Sequence, residues 1–141
     1  MENILLELLA NEFVINYNLQ ISHWNIIGKD FKTIHTFLGE LYETSNKDID
    51  DIAEKLRINN FVVNLKQNEI NVLSTLTNNV FLSFDSNTIF KKLYDDYSEF
   101  TEILSLHLVE NKNVFDLSTE NYLLNLLETK QKTLWFIKSH I

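Results

Sequence analysis

Apolar residues at Ile4, Leu5, Leu8, Leu9, Phe13, Tyr17 and Trp24 recur at helical spacing, and predict a first helix running to about Ile27. Gly28 follows, a residue suited to a helix C-terminal cap. A second run, Phe31, Ile34, Phe37, Leu38, Leu41, Ile49, Ile52, Ala53 and Leu56, carries the period to about Asn59. Ser45 and Asn46 in its middle are weak helix formers, so two shorter helices stay open. The period fades from about Phe61 to Asp85, with a turn suggested at Asn78 and Asn79 and a short helix over Glu69 to Leu76. Ile89, Leu93, Tyr97, Phe100, Leu104 and Leu108 mark a third long helix, with Ser86 as its N-cap. After a polar connection at Asn111 to Asn113, Ser118 or a neighbour caps a fourth, which buries Leu123, Leu126, Leu127, Leu134 and Ile137.

The first and last connections are short, which demands antiparallel neighbours. The middle one spans about 25 residues, enough to run back along a bundle and leave the second and third long helices parallel. The expected fold is therefore all-α, a four-helix bundle with up-up-down-down connectivity and a short helix in the long crossover. At 141 residues, one domain over 1–141 is expected.

Composition narrows the chemistry. No Pro and two Gly favour long helices over many tight turns. Without Cys, any metal must be held by imidazole and carboxylate. No apolar run reaches membrane-spanning length, and the start lacks a basic leader segment, so a soluble cytoplasmic protein is expected. A net charge of -8 with a single arginine, Arg57, argues against an electrostatic grip on nucleic acid. No Lys or Arg precedes Lys29 and no basic tail follows Ile141, so DNA binding is expected to be weak or absent.

One stretch carries more than packing. His23 stands six residues before Lys29 and His35 six after it, so a hairpin centred there brings both imidazoles to one level. Asp50 and Glu54 are four residues apart and share a helix face. Two imidazoles and two carboxylates suit non-haem iron, with zinc or manganese as substitutes. On a continuous helix, His35 and Asp50 lie roughly 22 Å apart, so one chain cannot direct both to one ion. A second copy must supply half the site. Antiparallel pairing of the second helix about Tyr42 or Glu43 does this, and its two-fold axis makes two equivalent sites. The bland alternative is that Asp50 and Glu54 belong, with Asp48 and Asp51, to a solvated acidic face. His107 and His140 are expected to be satisfied helix-packing histidines, Trp135 a packing residue, and Trp24 a core or interface aromatic that also stands near enough to donate electrons.

His23, His35, Asp50 and Glu54, set among Trp24, Gly28, Phe31 and Ala53, resemble the signature of the Dps proteins, the mini-ferritins of starvation and oxidative stress. The likeness continues through Asp116-Leu117-Ser118-Thr119 and Leu134-Trp135. It implies a ferritin-like bundle assembled from two-fold dimers into a hollow dodecamer. It also implies oxidation of ferrous iron, preferentially by hydrogen peroxide, at His23, His35, Asp50 and Glu54, with ferric mineral stored inside. Asp116 and Glu120 are expected as helix-start carboxylates, and the resemblance sets them near an ion-entry pore where Asn121 replaces a further carboxylate. One departure concerns the site itself. The family usually carries a carboxylate one turn after the second histidine, and that position is Gly39, while Glu40 points about 100 degrees away. A Gly39→Asp change is therefore expected to strengthen metal binding. The alternative function is a Dps-like shell that sequesters metal without efficient ferroxidase activity.

Overall fold

The computed structural model describes residues 1–76 and 80–141, and the turn expected at Asn78 and Asn79 lies outside the described residues. Five helices follow in order: α1 (Glu2–Asn25), α2 (Phe31–Ile58), α3 (Gln67–Leu73), α4 (Ser86–Glu110) and α5 (Leu117–Lys138). α1 packs on α2 and α4 on α5, while α1 also meets α3 and α4. This is the up-up-down-down four-helix bundle, with α3 as the short helix of the crossover. The second helix is continuous through Ser45 and Asn46. Ser45 is buried and its hydroxyl donates to Glu12, while Asn46 accepts from Asn16, so tertiary partners override weak local propensity.

Caps differ in detail from expectation. Asp85 rather than Ser86 caps α4, accepting from the Thr88 N–H, while Asp116, a neighbour of Ser118, caps α5 by accepting from the Thr119 N–H. A carboxylate serves better there because it also meets the positive end of the helix dipole. α1 ends on Ile26, whose N–H bonds the Ser22 carbonyl, so Gly28 is not the cap. Gly28 instead takes φ 130, the left-handed conformation a side chain disfavours, inside the turn to α2. That turn is tied down because the Ile27 N–H donates to the Phe84 carbonyl at 3.0 Å, ahead of α4.

The core is built from Leu5, Leu8, Leu9, Ile15, Leu19, Leu38, Ile52, Leu56, Phe90, Leu93, Phe100, Leu104 and Leu123, among others. Between its apolar layers α1 turns polar groups inward. Asn11 bonds Ser74 and Thr75 and so pins the crossover, and Asn18 donates to Asp96 at 2.9 Å across to α4. Asp96 also pairs with Lys92 at 3.2 Å. Each of these groups would be costly to bury alone, and Asn11 and Asn18 are satisfied by partners far away in sequence. Trp135, expected to pack, is 61% exposed, as Leu134 and Ile137 take the inward face of that turn.

Candidate metal centre

The hairpin symmetry about Lys29 places His23, in the last turn of α1, directly over His35, in the first turns of α2. Their rings stack with centroids 3.8 Å apart and planes 14° from parallel. Each Nδ1 bonds the other residue's main-chain carbonyl: His23 Nδ1 to His35 O at 2.7 Å, and His35 Nδ1 to His23 O at 2.6 Å. A carbonyl only accepts, so Nδ1 carries the hydrogen in both rings. In a neutral imidazole that leaves the Nε2 lone pair free, and metal-binding histidines are commonly oriented by such a hydrogen bond from the other ring nitrogen. Phe31 stacks on the outer face of His35 at 5.0 Å, which completes a column of three rings.

Gly39 packs against the His23 ring. A Cβ built on it would stand 2.9 Å from His23 Cε1 and 3.3 Å from His23 Nδ1. The missing side chain is therefore occupied space: the His23 imidazole fills it. A carboxylate at position 39 does not simply add a ligand, because the ring must first move, and the ring is held by its bond to His35. The gain expected from Gly39→Asp thus stands against a required displacement of the His23 ring. Beside the imidazole opens a cavity of about 420 Å³ lined by Gln20, His23, Trp24, Gly39, Tyr42 and Glu43.

The carboxylates Asp50 and Glu54 stand further along α2 and are exposed. Continuity of α2 from Phe31 to Ile58 fixes the separation the rise per residue requires, roughly 22 Å between His35 and Asp50. Among the described residues, no three metal-ligating side chains converge within the chain. The single chain thus brings the two histidines together and keeps the two carboxylates apart from them. Asp51, beside Asp50, is engaged by Lys47 one turn earlier, which leaves Asp50 and Glu54 as the outward pair.

Residues 2–141 match the ferritin-like domain family. The chain belongs to the ferritin-like family, as a Dps-like mini-ferritin. It is 29% identical over 142 residues to the DNA protection during starvation protein of Helicobacter pylori strain J99, covering 98% of this chain and 96% of that one. The crystal structure of Dps from Staphylococcus aureus superposes with a TM-score of 0.90 at 20% identity, covering 99% of this chain and 93% of that one. The Vibrio cholerae O1 DPS protein, described as a member of a broad superfamily of ferritin-like diiron-carboxylate proteins, superposes with a TM-score of 0.83 at 23% identity, covering 98% and 86%.

Other histidines of this Dps-like chain do different work. His107 Nε2 meets Glu7 at 3.1 Å and ties the end of α4 to the start of α1. His140 is exposed, yet its ring stacks on the buried Phe90 at 4.2 Å. Trp24, next to His23, is 63% exposed and Phe31 is 44% exposed, so the histidine hairpin is bordered by uncovered aromatic surface. Asp116 is the α5 cap, with its carboxyl held below the ordinary value first by the Thr119 N–H, and Glu120 sits in the first turn. Gly39 was visible in the sequence as a missing carboxylate, whereas its packing against His23 was not. Among the described residues, no helix is long and apolar enough to cross a membrane.

Proposed function

We propose that this Dps-like chain binds and oxidises ferrous iron at sites shared between two subunits, and stores the ferric product within a hollow homo-oligomer that protects against oxidative stress. The observation that carries the reading is the reciprocal Nδ1-to-carbonyl bonding of His23 and His35, which leaves both Nε2 lone pairs free to bind a metal ion. Family membership supports iron storage and stress protection as the setting, and the diiron-carboxylate description of the Vibrio cholerae protein supports iron as the substrate.

Stacking favours two iron positions over one. A metal binds imidazole in the ring plane at about 2.1 Å, so an ion bound by one ring lies well outside the plane of a second ring stacked on it. Each imidazole would therefore hold its own ion. Asp50 and Glu54 of a second copy, delivered by antiparallel pairing of α2 about Tyr42 and Glu43, complete the set and favour the more highly charged ferric product. Exposed Trp24 and the cavity beside Tyr42 and Glu43 offer that copy a surface. Two ferrous ions each give one electron to one hydrogen peroxide, which takes up two protons and leaves as two waters. No one-electron fragment of the peroxide is released. A dodecamer is the assembly the resemblance implies, and iron rather than zinc or manganese is the metal we assign.

The test is anaerobic ferrous titration followed by peroxide addition, with ferric absorbance recorded in stopped flow. Oxidation well above the buffer rate, abolished in His23→Ala/His35→Ala and in Asp50→Ala/Glu54→Ala, is the expected result. Tight ferrous binding with no acceleration would establish the alternative, a shell that sequesters metal without efficient ferroxidase activity.

A further inference from the structure

A cluster of buried charge lies away from the histidines, inside the bundle. Glu12 of α1 is fully buried, Lys130 of α5 is 2% exposed and Asp48 of α2 is 9% exposed. Lys130 Nζ stands 2.7 Å from each Glu12 carboxylate oxygen and 3.0 Å from Asp48 Oδ2. The Ser45 hydroxyl donates to Glu12 Oε1 at 2.6 Å. The rings of Tyr97 and Phe100 flank the ammonium, 5.3 and 5.2 Å from Nζ to their centroids. The Tyr122 hydroxyl is buried without a hydrogen-bond partner, in a position where the Asp48 and Asp51 charges act on it. Burial opposes the charge on Lys130, but attraction from Glu12 and Asp48 outweighs it and raises the ammonium above its ordinary value.

Three carboxylate oxygens from two facing helices around one cation form a coordination sphere in all but the identity of the cation. Bundle interiors hold metal ions with inward carboxylates of this kind. An ammonium differs from a divalent ion in carrying one charge and in being tethered, so it leaves one of the two carboxylates uncompensated but cannot diffuse away. We propose that Glu12 and Asp48 form an internal cation site of the carboxylate class, filled in this protein by Lys130, which thereby keeps divalent metal out of the bundle. Burial raises the Glu12 carboxyl above its ordinary value even beside Lys130, so with the ammonium removed the pair must be neutralised, either by protons or by a divalent cation that holds both carboxylates ionised. A hard, oxygen-preferring ion such as Mn²⁺ fits, with the Ser45 and Tyr122 hydroxyls and water in the space of the lysine stem as further ligands. The inference stands apart from the histidine site, since no residue is shared.

The experiment counts Mn²⁺ per chain by equilibrium dialysis with elemental analysis, in chains carrying His23→Ala/His35→Ala so that the histidine face does not contribute. With Lys130 in place, uptake should not depend on Glu12. Adding Lys130→Ala should create roughly one further Mn²⁺ per chain, lost again when Glu12→Gln is added, which subtracts weak binding by surface carboxylates. Mn²⁺ should raise the melting temperature of the Lys130→Ala chain and leave the parent unchanged. A helical Lys130→Ala chain without the additional ion overturns the proposal, as does Glu12-dependent uptake while Lys130 is present. Should Lys130→Ala lose its helicity in metal-free buffer, recovery on adding Mn²⁺ supports the site, and failure to recover counts against it.

Discussion

The imidazoles of His23 and His35 each give their Nδ1 hydrogen to the other residue's main-chain carbonyl, at 2.7 and 2.6 Å, across the hairpin between α1 and α2. The exchange is close to symmetric, so moving either ring disturbs both. That coupling makes the packing around the pair as consequential as the pair itself.

Gly39→Ala tests this coupling. The new methyl would meet His23 Cε1 at 2.9 Å, so the ring has to tilt, which strains its bond to the His35 carbonyl. Ferrous affinity should fall about ten- to hundredfold, the usual cost of losing an orienting contact behind a metal ligand. Helix propensity moves the other way, by about 1 kcal/mol in favour of Ala. Anaerobic calorimetry should thus show weaker binding in a chain whose metal-free melting temperature is unchanged or raised. Gly39→Asp should likewise bring no gain in affinity, and a clear gain would mean the ring moves freely.

Shared sites predict complementation between defective chains. A His23→Ala/His35→Ala chain and an Asp50→Ala/Glu54→Ala chain are each inactive as homodimers, while a mixed dimer rebuilds one whole site and leaves the other empty. Purified mixed assemblies, separated by distinct affinity tags, should show about half the wild-type peroxide-dependent oxidation per dimer. Correctly assembled mixed dimers with no activity would exclude the shared geometry.

Acid sensitivity has an identifiable source in the helix caps. The Ser83 hydroxyl, followed by the Thr88 N–H and hydroxyl, brings the Asp85 carboxyl down from 3.8 to about 2. A folded-state value below the unfolded one means the capping carboxylate stabilises the fold fully above pH 3.8, and that this contribution is lost as pH falls through about 2. Asp116, lowered chiefly by the Thr119 N–H, acts in the same direction. Asp85→Asn keeps an N-cap acceptor without the ionisation, so its thermal stability should change less than wild type between pH 4 and 2. Parallel melting curves for the two proteins check this.

DNA should not be retarded by this protein near neutral pH. With a net charge of -8, contact with a phosphate backbone adds repulsion rather than releasing counterions. A gel-shift assay at low salt, with metal chelated to exclude cation bridging, is the severe test because screening is then weakest. A shift at modest protein concentration would reveal a local basic surface strong enough to overcome the overall charge.

Much of this protein follows from local pattern. Apolar residues at helical spacing set the four long helices and the parallel arrangement of α2 and α4, because a helix must bury its stripe and a short loop permits only an antiparallel neighbour. The equal spacing of His23 and His35 about Lys29 also fixed their meeting, since helix rise is uniform on both sides of a hairpin. Tertiary structure decided what α1 buries. Asn11, Glu12, Asn16 and Asn18 are polar and stand outside the apolar pattern of the helix, yet all four are inside. Their partners are Thr75, Lys130, Asn46 and Asp96, and the Glu12–Lys130 pair joins residues 118 positions apart. Burying such groups is unfavourable until the partner arrives, and no local pattern records where in the chain that partner is. The same reason hid the role of Gly39: its missing side chain has meaning only once the His23 ring, from another helix, lies in the space it leaves.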